Sequence, residues 1–447
     1  MKTAREKLIE ALIKIDLGYY SDQILAKHLH TIADKRDRGL FTEIFYGVLR
    51  KRIYLDYIID KFSKTDISKL DKEVLQGLRI GIYQLFFLDK IPERAAVFET
   101  VEAVKKSCGK KGKKISGFVN GILREVIRKK DTVRLPNKNK NKVKYLSIKY
   151  SHPEWLVKRW ITQYGISITE KILSANNDRP NMYFRHNSLK FSESDFIKLL
   201  CKDKIEFERI FLPGFYKVKS SINPVQTEIF KKGGAYIQGI AAGLAAFLLD
   251  VDLEMQILDL AAAPGGKTAH IAEKMNNTGY IKAVDISSER LKMVQENIVR
   301  LGIKNVETEN VDSRKLNDEK KYDRILADLP CSGLGLISSK PEIKWQRTEK
   351  DINKLADLQY SILSHNLNRL RVGGKLLYST CTLNREENQN IINKILTENN
   401  NFILEDISET IKGLGSVYSK EEKYLELIPG INNTEGFFYA RIKKIGE

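Results

Sequence analysis

Two of the four cysteines stand where a thiol could act chemically. Cys331 lies in the run DLPCS and Cys381 in the run STCT, and each run ends a segment with the apolar pattern of a buried strand. A thiolate is a strong nucleophile and a competent leaving group, so it can bind a substrate covalently and later release it. Buried cysteines are more often inert apolar residues, and this is our interpretation of Cys108 and Cys201. Cys331 and Cys381 are therefore the candidates for covalent catalysis.

The stretch ILDLAAAPGGKT at residues 257–268 would position these cysteines, because it predicts the first strand and helix of a sheet. A buried strand, a turn of small residues and an amphipathic helix at 268–275 are typical of a doubly wound α/β sheet, whose ligands bind beyond the carboxyl ends of the strands. Gly265 and Gly266 lack a Cβ, so the backbone can approach a bound molecule closely. A glycine-rich turn alone is weak evidence, because many nucleotide-binding sheets contain one.

Acidic residues follow the other strands of this predicted sheet. Asp285 lies 26 residues after Asp259, near the distance at which an acid of the second strand binds a ribose in dinucleotide folds. Asp312, after the third strand, is placed to accept a hydrogen bond from an adenine amino group. Any one acid could be a helix cap, but polar groups at successive strand ends favour a ligand site on one rim. The predicted strands are residues 257–260, 279–284, 306–311, 323–327 and 375–379.

Basic charge is concentrated at the amino-terminal end. The net charge is +19, and residues 1–150 hold 34 Lys and Arg against 18 Asp and Glu, whereas the remainder holds 42 against 39. A lysine-rich proteome would explain the lysines but not the balanced remainder, so nucleic acid is the expected partner. The run KKSCGKKGKK at 105–114 is predicted to be a loop that contacts phosphates, although a solvated charge run is the ordinary interpretation.

The chain is long enough for several domains. Residues 1–135 are predicted to be all-helical, 136–150 a polar linker, 151–234 a small α+β subdomain, and 235–447 the α/β catalytic sheet. The helical prediction for the first domain depends on apolar residues that recur at helical spacing. They lie in residues 8–17, 40–57, 74–87, 97–104 and 118–127.

Several classes of protein are excluded by what the sequence contains. Its longest apolar runs are far shorter than a membrane span, and the first residues are not the uninterrupted apolar region of a secretion signal. The cysteines do not have metal-ligand spacing, which argues against a zinc site and a disulfide framework. We therefore expect a cytoplasmic protein without a metal, and nothing in the sequence requires more than a monomer.

Ordered motifs of the chain resemble those of RNA cytosine-C5 methyltransferases that use S-adenosylmethionine. The motifs are AAAPGGKT, AVD, NVDSR, DLPCSG and YSTCT, and the likeness continues through IKWQRTEKDI to EGFFYARI. The helical front, with FTEIFYGVLRKRIYLDYII and GFVNGILREV, resembles RNA-binding bundles of the NusB type. Over essentially its full length the chain is similar to the bacterial 16S rRNA methyltransferases of the Sun/Fmu (RsmB) type.

This resemblance implies a role for each motif residue. Cys381 would be the nucleophile that adds to C6 of a cytosine, and Cys331 would help to release the product. Asp328 would bind the cytosine edge, with Lys267 helping to position it. S-adenosylmethionine would lie along Ala261, Ala262, Ala263, Pro264, Gly265, Gly266, Lys267, Asp285, Asp312 and Asp328.

The expected RNA partner adds two further expectations. A base inside a duplex cannot be approached from its face, so the target cytosine must be unpaired or flipped out. The resemblance also implies that Arg185 and Asn187 help to hold RNA, although by pattern alone both are ordinary surface positions of a strand.

Other functions were weighed against this one. An exocyclic amino methyltransferase typically carries Asp/Asn-Pro-Pro-Tyr/Phe at the fourth strand, which DLPCS does not match. A DNA cytosine-C5 enzyme would use the cysteine of its Pro-Cys motif as nucleophile, whereas the separate TC motif and the NusB-like front favour RNA. Two alternatives stay open: a tRNA cytosine-C5 methyltransferase, and an RNA-binding assembly or antitermination-type factor whose methyltransferase domain is inactive.

Overall fold

A computed structural model of the protein describes residues 2–220, 222–407, 410, 417–419 and 423–447. These residues form two compact units. The helical unit comprises Met1–Asp178 and Ile337–Arg347, and the sheet unit comprises Arg179–Leu336 and Thr348–Glu447. Within the described ranges, none of the helices combines the length and the apolarity that a membrane crossing requires.

The predicted helical front is confirmed. Helices α1 to α6 each turn an apolar stripe inward, and the stripes meet in one shared core. The sequence prediction missed α2, because this helix buries only three of its nine residues. The helices are α1 (Ala4–Asp16), α2 (Ser21–Leu29), α3 (Lys35–Phe62), α4 (Lys72–Phe87), α5 (Glu93–Ser107), α6 (Gly112–Lys129), α7 (Lys142–Tyr150) and α8 (Glu154–Ala175).

Two predictions for this unit are wrong. The basic run 105–114 is not a loop, because it ends α5, forms a short 3-10 turn at Gly109–Lys111 and begins α6. The segment 136–150 is not a linker throughout, because it includes α7, whose Leu146 and Ile148 are buried. Lysines are frequent in both places, so composition alone predicts solvated segments, whereas Cys108 in the first and Leu146 and Ile148 in the second contact a core or are buried.

A segment that lies between the two candidate cysteines in sequence, Ile337–Arg347, belongs to the helical unit. Trp345 packs against the core of that unit, and its Nε1 donates a hydrogen bond to a carbonyl of α3 at 3.0 Å. The Nζ of Lys344 donates to the carbonyls of Arg50 at 2.9 Å and Ser151 at 2.8 Å. Burial lowers the pKa of Lys344 well below its ordinary value. These contacts fasten the segment to the helices.

The sheet unit begins with a small antiparallel sheet, ordered β2-β3-β1-β4. Helix α9 and the short α10 accompany it, and the apolar side chains of these elements share one core. The expectation that the catalytic sheet begins at Ala235 is wrong, because residues 235–237 pair with β1 of this small sheet. The elements are β1 (Met182–His186), α9 (Glu193–Lys202), β2 (Phe207–Arg209), β3 (Phe215–Val218), α10 (Glu228–Lys231) and β4 (Ala235–Ile237).

The large sheet follows, in the order β11-β12-β13-β9-β8-β5-β6-β7, with β10 paired to β13. Strands β7, β6, β5, β8 and β9 run parallel, and β13 is antiparallel to β9. The predicted α/β sheet is therefore confirmed. Its strands are β5 (Gln256–Asp259), β6 (Tyr280–Asp285), β7 (Val306–Asn310), β8 (Tyr322–Asp328), β9 (Leu370–Thr380), β10 (Phe402–Leu404), β11 (Val417–Ser419), β12 (Tyr424–Leu427) and β13 (Phe437–Lys444).

Helices cover both faces of this sheet, as expected for a doubly wound arrangement. Helix α12 directly follows β5 through the glycine turn, and α15 leads from the region of the first cysteine to β9. The helices are α11 (Ile240–Leu248), α12 (Gly266–Lys274), α13 (Ser288–Leu301), α14 (Ile343–Gln346, within the helical unit), α15 (Glu349–Asn366) and α16 (Gln389–Glu398).

The substitution Lys344→Met tests the fastening of the segment Ile337–Arg347. It leaves two buried carbonyls without their donor, so we expect the free energy of unfolding to fall by about 2–4 kcal/mol. The control is Lys340→Met, which removes a partly exposed lysine of the same segment, paired with Asp22 at 3.7 Å, and should cost less than about 1 kcal/mol. Chaotrope unfolding measures both, and equal losses would contradict the described role of Lys344.

Candidate active site

The two candidate cysteines meet in the structure. Strands β8 and β9 are parallel neighbours whose register aligns Asp328 with Ser379, and the loops that carry Cys331 and Cys381 leave them at the same edge. The two sulfur atoms are 3.1 Å apart. Both thiols are free and partly exposed. One bound molecule could therefore contact both sulfur atoms.

A lysine and an aspartate lie beside these thiols. Lys267 Nζ is 2.5 Å from Oδ2 of Asp328, and the hydroxyl of Ser379 donates to Oδ1 of the same carboxylate at 2.7 Å. Burial lowers the pKa of Lys267, but the charges of Asp328 and then of Cys381 outweigh it, so the net shift is upward. The Lys267 ammonium is therefore a stable cation on the Cys381 side of the site.

The two thiols differ in their surroundings. The pKa of Cys331 is raised well above its ordinary value, first because its thiol hydrogen-bonds to Cys381 and second because it is buried. Either sulfur can be the donor in this hydrogen bond, and the raised pKa of Cys331 favours a proton on that thiol. The two thiols therefore differ in their surroundings, with Glu387 acting on Cys331 and Lys267 lying near Cys381.

The glycine turn between β5 and α12 forms one wall of a cavity of about 210 Å³. Gly265 has a φ of +96°, which favours glycine. A Cβ on Gly266 would lie 2.8 Å from the ring of Tyr236, so this position also requires glycine. Seven of the residues that were predicted to bind the cofactor or the cytosine line this cavity: Ala261, Ala262, Ala263, Pro264, Gly266, Lys267 and Asp328.

The other two predicted cofactor acids lie near the adjoining strand ends. Asp285 ends β6 and is almost fully buried, and its carboxylate accepts the backbone N–H groups of Ala263 at 3.1 Å and Ser287 at 2.9 Å. Each of its oxygens keeps a second lone pair for a ligand hydroxyl. Asp312 follows β7 and forms a bidentate pair with Arg314, which holds the pKa of Asp312 below its ordinary value. These two acids lie at the carboxyl ends of the neighbouring strands β6 and β7 and are not among the residues that line the cavity.

The prediction that Arg185 and Asn187 are surface positions is wrong. Arg185 is 1% exposed and donates to both carboxylate oxygens of Glu273, at 2.7 and 3.0 Å. It also donates to the carbonyl of Gly266 at 2.9 Å. The amide of Asn187 donates to two backbone carbonyls at 2.8 Å. Their donors are engaged within the protein, and Arg185 supports the glycine turn through the carbonyl of Gly266.

Two buried acids of this site were missed as functional residues. Asp259, at the end of β5, accepts the hydroxyl of Thr268 at 2.7 Å and lines the cavity. Glu387 is fully buried and accepts hydrogen bonds from Ser332. The run LNREEN after the TC motif was the available signal for Glu387, but two adjacent glutamates in a polar run are usually solvated.

Sequence profiles of known families match three parts of the chain. Residues 246–443 match the profile described as 16S rRNA methyltransferase RsmB/F, residues 2–128 the NusB family, and residues 152–213 the ferredoxin-like domain of RsmF/B-like methyltransferases. Among curated proteins, the chain is similar to the probable ribosomal RNA small subunit methyltransferase B of Bacillus subtilis, at 34% identity over 99% of both chains.

Solved structures agree with these matches. The crystal structure of PH0851 covers 99% of this chain and 98% of its own, with a TM-score of 0.84 and 28% identity. The crystal structure of NSun6 from Pyrococcus horikoshii with SFG covers 66% of this chain and 99% of its own, with a TM-score of 0.59 and 26% identity.

The substitution Asp259→Asn tests the electrostatics of the cavity. Burial raises the pKa of Asp259 to about 7, whereas an aspartate in an unfolded chain has a pKa of about 3.9. Between about pH 4 and 7 the folded state therefore keeps a proton that the unfolded state has lost. The natural protein should lose stability relative to the variant by about 1.4 kcal/mol per pH unit in this window, and no more above it.

Chaotrope unfolding of both proteins at pH 5, 6, 7 and 8 measures this difference. Other titrating groups are common to the two proteins and cancel. A difference that stays constant with pH would contradict a buried, protonated Asp259.

Proposed function

Because the chain belongs to the RsmB/F family of 16S rRNA methyltransferases, we propose that it methylates carbon 5 of a cytosine in 16S rRNA through a covalent cysteine adduct. The observation that carries this proposal is the 3.1 Å contact between the sulfur atoms of Cys331 and Cys381 beside the cavity. An enzyme that forms a covalent adduct must also break it, and a second thiol in contact with the first serves that need.

The proposed cofactor is S-adenosylmethionine. Residues 261–266 would hold it, since all but Gly265 line the cavity, and Asp285 and Asp312 would accept its hydroxyl and amino donors. When bound, it supplies an electrophilic methyl group. The relative NSun6 was solved with SFG, an analogue of this cofactor, which supports the same choice for this chain.

Cys381 is the proposed nucleophile. Carbon 5 of cytosine is a poor nucleophile until a group adds to C6, and the Cys381 thiolate makes that bond, which turns C5 into an enamine-like centre. The Lys267 ammonium favours the thiolate, because the two charges attract each other. Asp328, held by Lys267 and Ser379, would bind the N3 and amino edge of the base.

Cys331 is the proposed release residue. After methylation the C5 proton leaves to a base, its electrons form the C5–C6 double bond, and the bond from C6 to the sulfur of Cys381 breaks. The departing thiolate is then stabilised by the Cys331 thiol, which already hydrogen-bonds to that sulfur. This role requires Cys331 to be protonated in the resting enzyme.

The proposed substrate is an unpaired or flipped cytosine, since the Cys381 thiol must reach the face of the ring. The NusB-type helical unit, with 34 Lys and Arg against 18 Asp and Glu over residues 1–150, would supply phosphate contacts. A monomer suffices for this chemistry, because one chain supplies the two cysteines, Lys267 and Asp328.

An RNA-binding factor with an inactive methyltransferase domain is the competing proposal. Converging thiols and an intact row of acids favour the enzyme. Calorimetric titration with S-adenosylmethionine distinguishes the two, because an inactive domain would have no need of the cofactor.

The substitution Cys381→Ala removes the proposed nucleophile. Methyl transfer from labelled S-adenosylmethionine to unmodified 16S rRNA should fall by at least about a thousandfold, because C5 is then no longer activated. The exposed Cys201 provides the matched control, and Cys201→Ala should keep full activity. Appreciable turnover by Cys381→Ala would reverse the assignment of the nucleophile.

The substitution Cys331→Ala removes the proposed release residue. The adduct between Cys381 and RNA should form but break slowly, so a protein–RNA band should accumulate on a denaturing gel while multiple turnover falls. The double variant with Cys381→Ala should give no such band. If Cys331→Ala gives no adduct while Cys381 is intact and cofactor binding is normal, Cys331 has a different role.

A further inference from the structure

A buried carboxylate, that of Glu387, accepts hydrogen bonds from the loop that carries Cys331. Glu387 is fully buried in the turn after β9. Its Oε1 accepts the backbone N–H of Ser332 at 2.7 Å, and its Oε2 accepts the hydroxyl of the same residue at 2.6 Å. The amides of Gln359 and Asn384 donate at 3.3 and 2.7 Å. All these donors are neutral, and together they hold the carboxylate in place.

The same network reaches the loop of Cys381. The amide of Asn384 also donates to the hydroxyl of Thr382, the residue after Cys381, at 3.1 Å, and Thr382 hydrogen-bonds to Ser332 at 2.7 Å. Ser332 in turn directly follows Cys331. Glu387 thus lies at the junction of the two loops that bring the sulfur atoms together.

Charges of opposite sign flank the two thiols. The Lys267 ammonium is on the Cys381 side, where the charge of that thiol raises the pKa of the lysine. Glu387 is on the side of Cys331 and acts on its thiol. Two thiols at 3.1 Å cannot both ionise at ordinary pH, because the second charge is repelled by the first. The flanking charges therefore bias which thiol ionises.

We propose that Glu387 is a positioning residue that assigns the two cysteines their roles, by fixing the Cys331 loop through Ser332 and placing a negative charge on the Cys331 side of the pair. Cys381 then carries the thiolate and Cys331 the proton. The raised pKa of Cys331, caused first by its hydrogen bond to Cys381 and by burial and further by Glu387, agrees with this assignment. The inference rests on the proposed function for the roles themselves, but the ionisation order can be measured without RNA.

The test is alkylation of the full-length protein by iodoacetamide under single-hit conditions, followed by peptide mass spectrometry, between pH 6 and 10. In the natural protein Cys381 should react first at pH 7.5. In Glu387→Gln the midpoint for Cys331 should fall by about one pH unit, and the preference for Cys381 should shrink about tenfold. Ser332→Ala is the matched control, because it removes only the hydroxyl bond to Glu387 and keeps both the charge and the backbone N–H bond that holds the loop, so the preference should stay within about twofold of the natural protein.

An unchanged preference in Glu387→Gln, or an equal shift in Ser332→Ala, would overturn the proposal. Circular dichroism establishes whether Glu387→Gln is folded. If the variant is not folded, the order of alkylation in the natural protein still tests the proposal. Faster alkylation of Cys331 than of Cys381 at pH 7.5 would also overturn it. Since no step uses RNA or cofactor, failure of this inference is separate from absence of methyl transfer.

Discussion

The parallel pairing of β8 with β9 is the constraint on which the rest of the site depends. Parallel neighbours end at the same edge of a sheet, and the register that aligns Asp328 with Ser379 brings the two following loops side by side. The contact between the sulfur atoms of Cys331 and Cys381 follows from that arrangement. Strands β5 and β13 flank the pair on either side, so a slip in register would break further ladders of hydrogen bonds.

Geometry makes the two thiols neighbours, and electrostatics makes them different. The positive Lys267 ammonium acts on Cys381, and the negative Glu387 carboxylate acts on Cys331. Burial strengthens both electrostatic interactions, because it removes water that would screen them. The same burial keeps Asp259 protonated to about pH 7, which limits the negative charge near Asp328. The proposed chemistry needs one thiolate and one thiol, and it would be carried out by side chains of ordinary chemistry whose ionisation depends on where the sheet places them.

The stretch of chain between Cys331 and Cys381 contributes residues to both compact units. Residues after the DLPCSG motif continue into the segment Ile337–Arg347, which packs within the helical unit through Trp345 and Lys344. A lysine with so little exposure is stable there because it donates hydrogen bonds to two carbonyl oxygens. The helical unit is therefore not defined by a continuous stretch of sequence, and this explains why composition alone could not give its limits.

The sequence by itself determined the fold class, the helical front, the glycine turn and the pair of cysteine motifs, because these depend on local periodicity and on the neighbours of each residue. Tertiary structure alone decided the burial of Arg185, whose partner Glu273 is 88 residues away, and the place of Glu387, 55 residues from Ser332. It also decided that residues 235–237 join the small sheet. Whether a polar side chain is solvated or buried depends on a partner from a distant part of the chain, and local pattern does not contain that partner.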